Sequence, residues 1–333
     1  MKKIAAIGAG SWGTTLAILL ARKGYPVSLW VREPELCAEM LKTRENTTFL
    51  PGFRMPPNLE VTNDMEQALA GAELVLSTVP SHGIRGVFKD VAARISEDAV
   101  IVSASKGIEQ GSHLLCSDIL REVLPSSLKD RVVILSGPSF AKEVSQELPA
   151  AVSVASRDRS LAALAQEVFS TPCFRVYTNT DPVGVELGGA LKNVMALAAG
   201  ASDGLGLGAN ARAALITRGL VEITRLGVSL GAEVSTFYGL AGMGDLVLTC
   251  TSTLSRNHTV GLKVGQGRTP QEVVAEMKMV AEGVKTSLAA SELAAKRGVE
   301  MPITEQVRKV FHEGKPPKEA VMELMVRELK EEC

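Results

Sequence analysis

The chain has 333 residues, enough for about two domains with separate cores. Hydrophobic residues make up 46% and charged residues 22%, with a formal net charge of -1. That balance fits a soluble globular enzyme and argues against the clustered basic face of a nucleic-acid binder. No apolar run reaches the roughly 18 residues of a membrane span. Lys2-Lys3 is followed by apolar residues but by no cleavage pattern, so a cytoplasmic chain with no integral membrane segment is expected. The five cysteines (Cys37, Cys116, Cys173, Cys250, Cys333) are scattered without a C-x-x-C pair, and the four histidines lack metal-ligand spacing. Reduced thiols and no metal are expected, which leaves electrophilic work to side chains.

In chain order, the apolar run Ile4–Ile7 reads as a strand and Thr14–Arg22 as a helix, with Gly8-Ala-Gly10-Ser11-Trp12-Gly13 between them. In this setting the first glycine turns the chain, the second admits a pyrophosphate and the third lets helix and strand pack, so a dinucleotide is expected here. A second strand, Val27–Val31, ends at Arg32, where a basic residue suits a 2′-phosphate; Glu33 is the acid a one-residue slip would supply. NADPH is therefore favoured, with NADH tolerated. Further strands are read at Val61-Thr62, Leu74–Val79, Ala99–Ser103, Val132–Leu135, Ala151–Ala155 and Phe174–Tyr177, with helices such as Ile84–Ile95 and Leu161–Phe169 between them. This alternation predicts an α/β fold: an N-terminal doubly wound Rossmann-type sheet binding ligands at the carboxyl ends of its strands. Past Asp181-Pro182 only helical periodicity remains: Val183–Ala201, Ala211–Leu226, Val260–Gly265, Gln271–Met277, Val284–Arg297, Thr304–Glu313 and Lys318–Lys330. The expected organisation is a dinucleotide-binding domain over 1–180 and an all-α substrate and catalytic domain over 181–333.

Three strand ends draw attention. Val79-Pro80-Ser81-His82 is either a backbone turn beside the nicotinamide path or a plain terminator. Ser105-Lys106-Gly107 aims a lysine into the ligand crevice. Ser136-Gly137-Pro138-Ser139 precedes a predicted helix Phe140–Val144, which Ser139 would cap, or whose first amides would receive an anionic substrate. In the helical half, Lys192 stands in a stretch nearly devoid of charge, with Gly188 one turn earlier leaving room for its stem. A buried ammonium with a lowered pKa suits proton exchange near neutral pH; the alternative is a lysine that snorkels to water. Asp245, at the end of Gly239–Asp245, would hold a substrate hydroxyl or orient Lys192. Ser255-Arg256-Asn257, at a helix entry, collects donors suited to a phosphate monoester, against the plainer readings of capping and a surface ion pair.

Together these segments resemble the bacterial NAD(P)-dependent glycerol-3-phosphate dehydrogenases over nearly the whole chain. The likeness runs through Gly8–Thr14, Asn46–Gly52, Ser105–Glu109, Gly137–Glu143, Glu186–Asn193, Gly239–Asp245, Ser255–Asn257 and Ala281–Gly283. It implies reversible reduction of dihydroxyacetone phosphate to sn-glycerol 3-phosphate for glycerophospholipid synthesis, with Lys192 as proton donor and acceptor. It implies cofactor contacts at Ser11, Trp12, Arg32, Phe49, Lys106, Ala141, Arg256, Val280 and Glu282, beside Gly8, Gly10 and Gly13. Phe49 stands where the family often has Tyr, so any hydrogen bond from that ring is absent. Substrate contacts are implied at Lys106, Gly137, Ser139, Lys192, Asp245, Ser255, Arg256 and Asn257, with the substrate in a cleft between domains, and likeness to the family suggests a homodimer. Two other readings share the plan: a β-hydroxyacid dehydrogenase or ketopantoate-reductase-like enzyme, which would recognise a carboxylate, and a nicotinamide-nucleotide sensor without turnover.

Overall fold

The structure is a computed structural model that describes residues 3–276, 281–329 and 331–332. The chain divides into two compact units, Met1–Lys106 with Leu114–Glu186, and Gly107–His113 with Leu187–Cys333.

The first unit is built on ten strands: β1 (Ile4–Ile7), β2 (Val27–Trp30), β3 (Glu45–Asn46), β4 (Leu50–Arg54), β5 (Leu59–Thr62), β6 (Leu74–Ser77), β7 (Val100–Ser103), β8 (Val132–Ser136), β9 (Ala150–Ala155) and β10 (Phe174–Asn179). Eight of them form one sheet in the order β10-β9-β8-β7-β6-β1-β2-β5. All four residues of β1, β6 and β7 are buried, because helices cover both faces of a parallel sheet and leave no solvated side. Strand β1 pairs in parallel with β2 on one side and β6 on the other. The chain thus leaves β1 in one direction and later returns to its opposite edge. Such a reversal opens a crevice at the carboxyl ends of the strands, where Gly8 begins.

Two features depart from the sequence reading. Strand β9 pairs antiparallel with β8, and β10 follows β9, so the last two strands run against the other six. The connection from β8 to β9 holds only the five-residue helix Ala141–Ser145. At about 1.5 Å per residue that helix is much shorter than a strand, unlike the helices that usually carry parallel crossovers. The second departure is the hairpin β3–β4, absent from the strands read above: β3 has only two residues, and the Pro51-Gly52 pair inside β4 reads as a turn.

The second unit is helical, and among the described residues after Asn179 no strand occurs. Its central element, the helix Pro182–Gly204, begins in the first unit and is buried along nearly its whole length. The last helix, Pro317–Met325, is shorter than the Lys318–Lys330 that periodicity suggested: residues 326–329 are exposed with no core to pack on, and Lys330 lies outside the described residues.

Two buried glutamates serve as helix caps. Glu222 accepts hydrogen bonds from the backbone N–H of Ile303 (2.6 Å) and Thr304 (3.1 Å) and from Thr304 Oγ1 (3.1 Å), at the start of Pro302–Glu313. Within the first unit, Glu186 accepts from Ser117 N–H (2.8 Å) and Oγ (2.6 Å) at the start of Cys116–Val123. Burial pushes each carboxyl from 4.5 up to about 7, against the pull of these donors. The native state thus holds protons that the unfolded chain has released, and stability falls as pH rises from about 4.5 to 7. Glu222→Gln should flatten that decline in a thermal-melt series across the window, and Glu222→Ala should destabilise at every pH by about 2 kcal/mol through orphaned amides.

Candidate active site

The glycine turn after β1 has the geometry its sequence requires. Gly8 adopts φ +111°, and a Cβ on Gly13 would overlap the Gly8 carbonyl oxygen. A Cβ on Gly10, by contrast, would meet no atom within 4 Å. Gly10 is also the N-cap of the helix Ser11–Arg22, and no side chain caps that end. An open approach to unclaimed first-turn amides is what a pyrophosphate needs, so these residues fit a dinucleotide. Ser11 and Trp12 are partly exposed on the first turn, with the Trp12 ring 6.4 Å from that of Phe174.

Around this turn, Arg32 follows β2 with its side chain 75% exposed and forks onto Glu33 Oε1 through Nε (2.9 Å) and Nη2 (2.6 Å). Base and acid are both present, and paired. Phe49 is partly buried against the core of this unit. The Ala141 carbonyl accepts from Thr15 Oγ1 (3.2 Å), which ties the two neighbouring helices together. Sequence reasoning gave no individual role to Asn46 or Thr78, yet both bond the glycine turn from behind. Asn46 Nδ2 donates to Ala9 O, and Thr78 Oγ1 donates to Gly8 O. Neither belongs to the glycine pattern, so only the fold reveals them.

At the ends of β7 and β8, Lys106 Nζ (3.5 Å) and Ser139 Oγ (3.0 Å) both donate to the Gly137 carbonyl, with Gly137 at φ +146°. Ser139 does not cap the next helix. That helix starts at Ala141 with Phe140 as N-cap, and the Ser139 hydroxyl is drawn back to Gly137 instead. Pro80 ends the β6 segment and is the N-cap of Ser81–Val91; His82 is exposed on that helix.

In the second unit, Lys192 is 7% exposed and Asp245 is fully buried, and Lys192 Nζ donates to Asp245 Oδ1. The lysine does not snorkel. Thr249 Oγ1 donates to the Asp245 carbonyl (2.6 Å), within the helix Asp245–Thr251. Gly188 has a different purpose from the one read in the sequence. A Cβ there would lie 2.5 Å from Ala241 O, so the missing side chain admits the backbone of the π-helical segment Leu240–Gly244, which delivers Asp245, rather than the lysine stem. Burial pushes the nearby Cys250 thiol to about 12, although Lys192 pulls it down, so it remains a protonated core residue.

The helix Arg256–Gly265 packs closely on the Lys192 helix, since a Cβ on Gly261 would overlap Leu197 O and one on Gly200 would overlap His258 O. Its first residues are thereby held near Lys192. Asn257 Nδ2 donates to Asn193 Oδ1 (3.1 Å), and its Oδ1 accepts from Gly283 N–H (3.0 Å). Ser255 Oγ caps the helix by accepting from His258 N–H (3.2 Å). Desolvation lowers the Arg256 guanidinium pKa while Glu282, at the start of Glu282–Arg297, raises it; the side chain keeps an exposed surface and remains cationic. Behind this turn His258 Nε2 meets Asp203 Oδ2 (2.8 Å), which Arg212 also holds (3.0 Å), a pairing no sequence spacing announced. Val280 lies outside the described residues. Among the described residues, no group of three or more His, Cys, Asp or Glu is placed to hold a metal ion.

Comparison with known proteins places this geometry. Residues 3–162 match the NAD-dependent glycerol-3-phosphate dehydrogenase N-terminus, and residues 181–322 match the C-terminus of the same family. A glycerol-3-phosphate dehydrogenase [NAD(P)+] from Geobacter sp. (strain M21) is 58% identical over 99% of this chain and 99% of its own. The chain belongs to the NAD-dependent glycerol-3-phosphate dehydrogenase family. The crystal structure of glycerol-3-phosphate dehydrogenase from Coxiella burnetii superposes with a TM-score of 0.93 at 41% identity, covering 98% of this chain and 99% of that one. A ketopantoate reductase from Ralstonia eutropha, at 15% identity and TM-score 0.60 over 96% of this chain and 100% of its own, shares the fold alone.

Gly188→Ala should displace the segment that carries Asp245. Overpacking of this kind costs about 1–3 kcal/mol. A lowered melting temperature together with a reduced kcat is the expected outcome, whereas Gly86→Ala, with open space at its Cβ, is the control for helix propensity alone.

Proposed function

We propose that this member of the family catalyses the reversible reduction of dihydroxyacetone phosphate to sn-glycerol 3-phosphate with NADPH or NADH, supplying glycerophospholipid synthesis. The observation that carries the reading is the buried Lys192 ammonium bonded to Asp245, one helical packing contact away from Arg256 and Asn257. Gly8, Gly10 and Gly13 with the amides of Ser11 and Trp12 would hold the dinucleotide, aided by Phe49, Lys106 and Ala141. When bound, the reduced nicotinamide supplies a hydride to the substrate's carbonyl carbon. Arg256 and the remaining amide proton of Asn257 anchor the phosphate, with Ser255 as a further contact. Lys192 polarises the carbonyl oxygen and transfers a proton from Nζ to it as the alkoxide forms. Asp245 holds Nζ in place and balances its charge until the amine regains a proton from water.

The rival carboxylate substrates lack the phosphate that Arg256 and Asn257 suit, and a sensor without turnover would have no use for a buried, paired lysine. We further propose that NADPH is favoured, because a 2′-phosphate carries more charge than Glu33 and draws Arg32 away from it. Glu33 is then available to a ribose hydroxyl, which keeps NADH acceptable. A homodimer and a cytoplasmic location complete the proposal.

Oxidation of NADPH and NADH should be observed with dihydroxyacetone phosphate and not with 2-keto or 3-oxo acids; turnover only with the acids would overturn the assignment. Lys192→Ala should lower kcat by roughly a hundredfold to ten-thousandfold with cofactor affinity intact, read by nicotinamide fluorescence titration. Arg32→Ala should raise KM for NADPH more than for NADH, and equal changes would remove Arg32 from 2′-phosphate recognition.

A further inference from the structure

Asn46 is only 1% exposed, and its amide nitrogen faces the glycine turn. One Nδ2 group donates to Ala9 O (2.9 Å) and to Thr14 Oγ1 (2.9 Å), while Oδ1 accepts from Phe49 N–H (3.0 Å). Both amide protons are therefore committed inside the protein. We propose that Asn46 is a positioning residue for dinucleotide binding, setting the peptide planes of the glycine turn without touching the ligand. The proposal rests on the reading of the first unit as the dinucleotide site.

The argument is one of peptide geometry. In a trans peptide the carbonyl and the following N–H point in opposite directions, and no cis bond occurs among the described residues. Asn46 holds the Ala9 carbonyl, so the Gly10 N–H is directed away from the buried side chain, and Gly10 is the exposed residue of the turn. Thr78 Oγ1 holds the Gly8 carbonyl (2.8 Å) and so directs the Ala9 N–H in the same manner. Consecutive amides fixed like this form an anion-binding concavity. The second proton of Asn46 reaches Thr14, whose own N–H bonds Gly10 O (2.9 Å), so one amide locks the turn to the first turn of the helix. Its oxygen fixes the start of the Phe49 loop through the third bond. Ala9 O and Thr14 need donors and Phe49 N–H needs an acceptor. Of the short side chains, asparagine alone offers two protons and an acceptor together.

The test uses the full chain. Asn46→Ala should weaken the Kd for both NADH and NADPH by about tenfold or more, as loss of a buried hydrogen-bonded amide implies. At saturating cofactor, kcat and KM for dihydroxyacetone phosphate should stay within about threefold of the wild type. Asn46→Asp, nearly isosteric, keeps the acceptor but faces Ala9 O with a second acceptor. Its Kd relative to the wild type should be raised at alkaline pH and recover as the buried carboxyl protonates and donates on acidification; the Asn46→Ala ratio should stay flat. A structural role alone would not produce that difference. Wild-type Kd in Asn46→Ala, or a pH-flat ratio in Asn46→Asp, would overturn the role of Asn46, and Asn46→Asp decides alone if the alanine variant does not fold. Failure of the wild type to bind either cofactor would instead overturn the dinucleotide reading beneath it.

Discussion

The ion pair between Lys192 and Asp245 is the constraint around which the helical unit is organised. Removing two charges from water carries a penalty of several kcal/mol per ion, and only close pairing with further hydrogen bonds offsets it. Asp245 is therefore fully buried but not isolated, since Lys192 Nζ reaches its Oδ1 and Thr249 packs beside it. To bring that carboxylate to the lysine, backbone must approach a helix more closely than any side chain permits. Gly188 supplies the gap, and the segment Leu240–Gly244 fills it with a π-helical turn, a widened geometry common where a helix is bent to serve a site. The same device recurs one helix further on, where Gly200 and Gly261 let Arg256–Gly265 press against the lysine's helix.

The first unit solves a different problem by related means. Its sheet order places β1 between β2 and β6, so the turn at Gly8 opens at the strand edge where ligands bind. A glycine-rich turn is intrinsically mobile, because glycine loses more conformational freedom on ordering than any other residue. Here the loss is offset by two side chains from distant parts of the chain, Asn46 and Thr78, which claim consecutive carbonyls. At the next strand ends, Lys106 and Ser139 converge on one carbonyl of Gly137, which leaves a cation and a hydroxyl side by side at the edge of the sheet.

Much of this is legible in the sequence. Ile4–Ile7 and Leu74–Ser77 are continuous apolar runs because both faces of their strands are covered, and that burial is written in composition. The uncharged stretch around Lys192 likewise announced a buried ammonium. The hairpin at Glu45–Arg54 and the reversed direction of β9 and β10 were not legible. The first pairs a two-residue strand with one interrupted by Pro51-Gly52, and the second is a matter of how the chain returns to the sheet rather than of the pattern within any strand.

Sequence alone determined the strand–glycine turn–helix at the start of the chain, the buried runs of the sheet and the helical second half, since these depend on residue type and near-neighbour spacing. Tertiary structure alone decided what the site residues are bonded to. Ser139 turned back to Gly137 instead of capping a helix, Gly188 made room for a backbone instead of a lysine stem, and Asn46 found Ala9 across 37 positions of chain. The physical reason is that a buried polar group must satisfy its hydrogen bonds with whatever partner the packing brings within about 3 Å, and no local pattern records that partner.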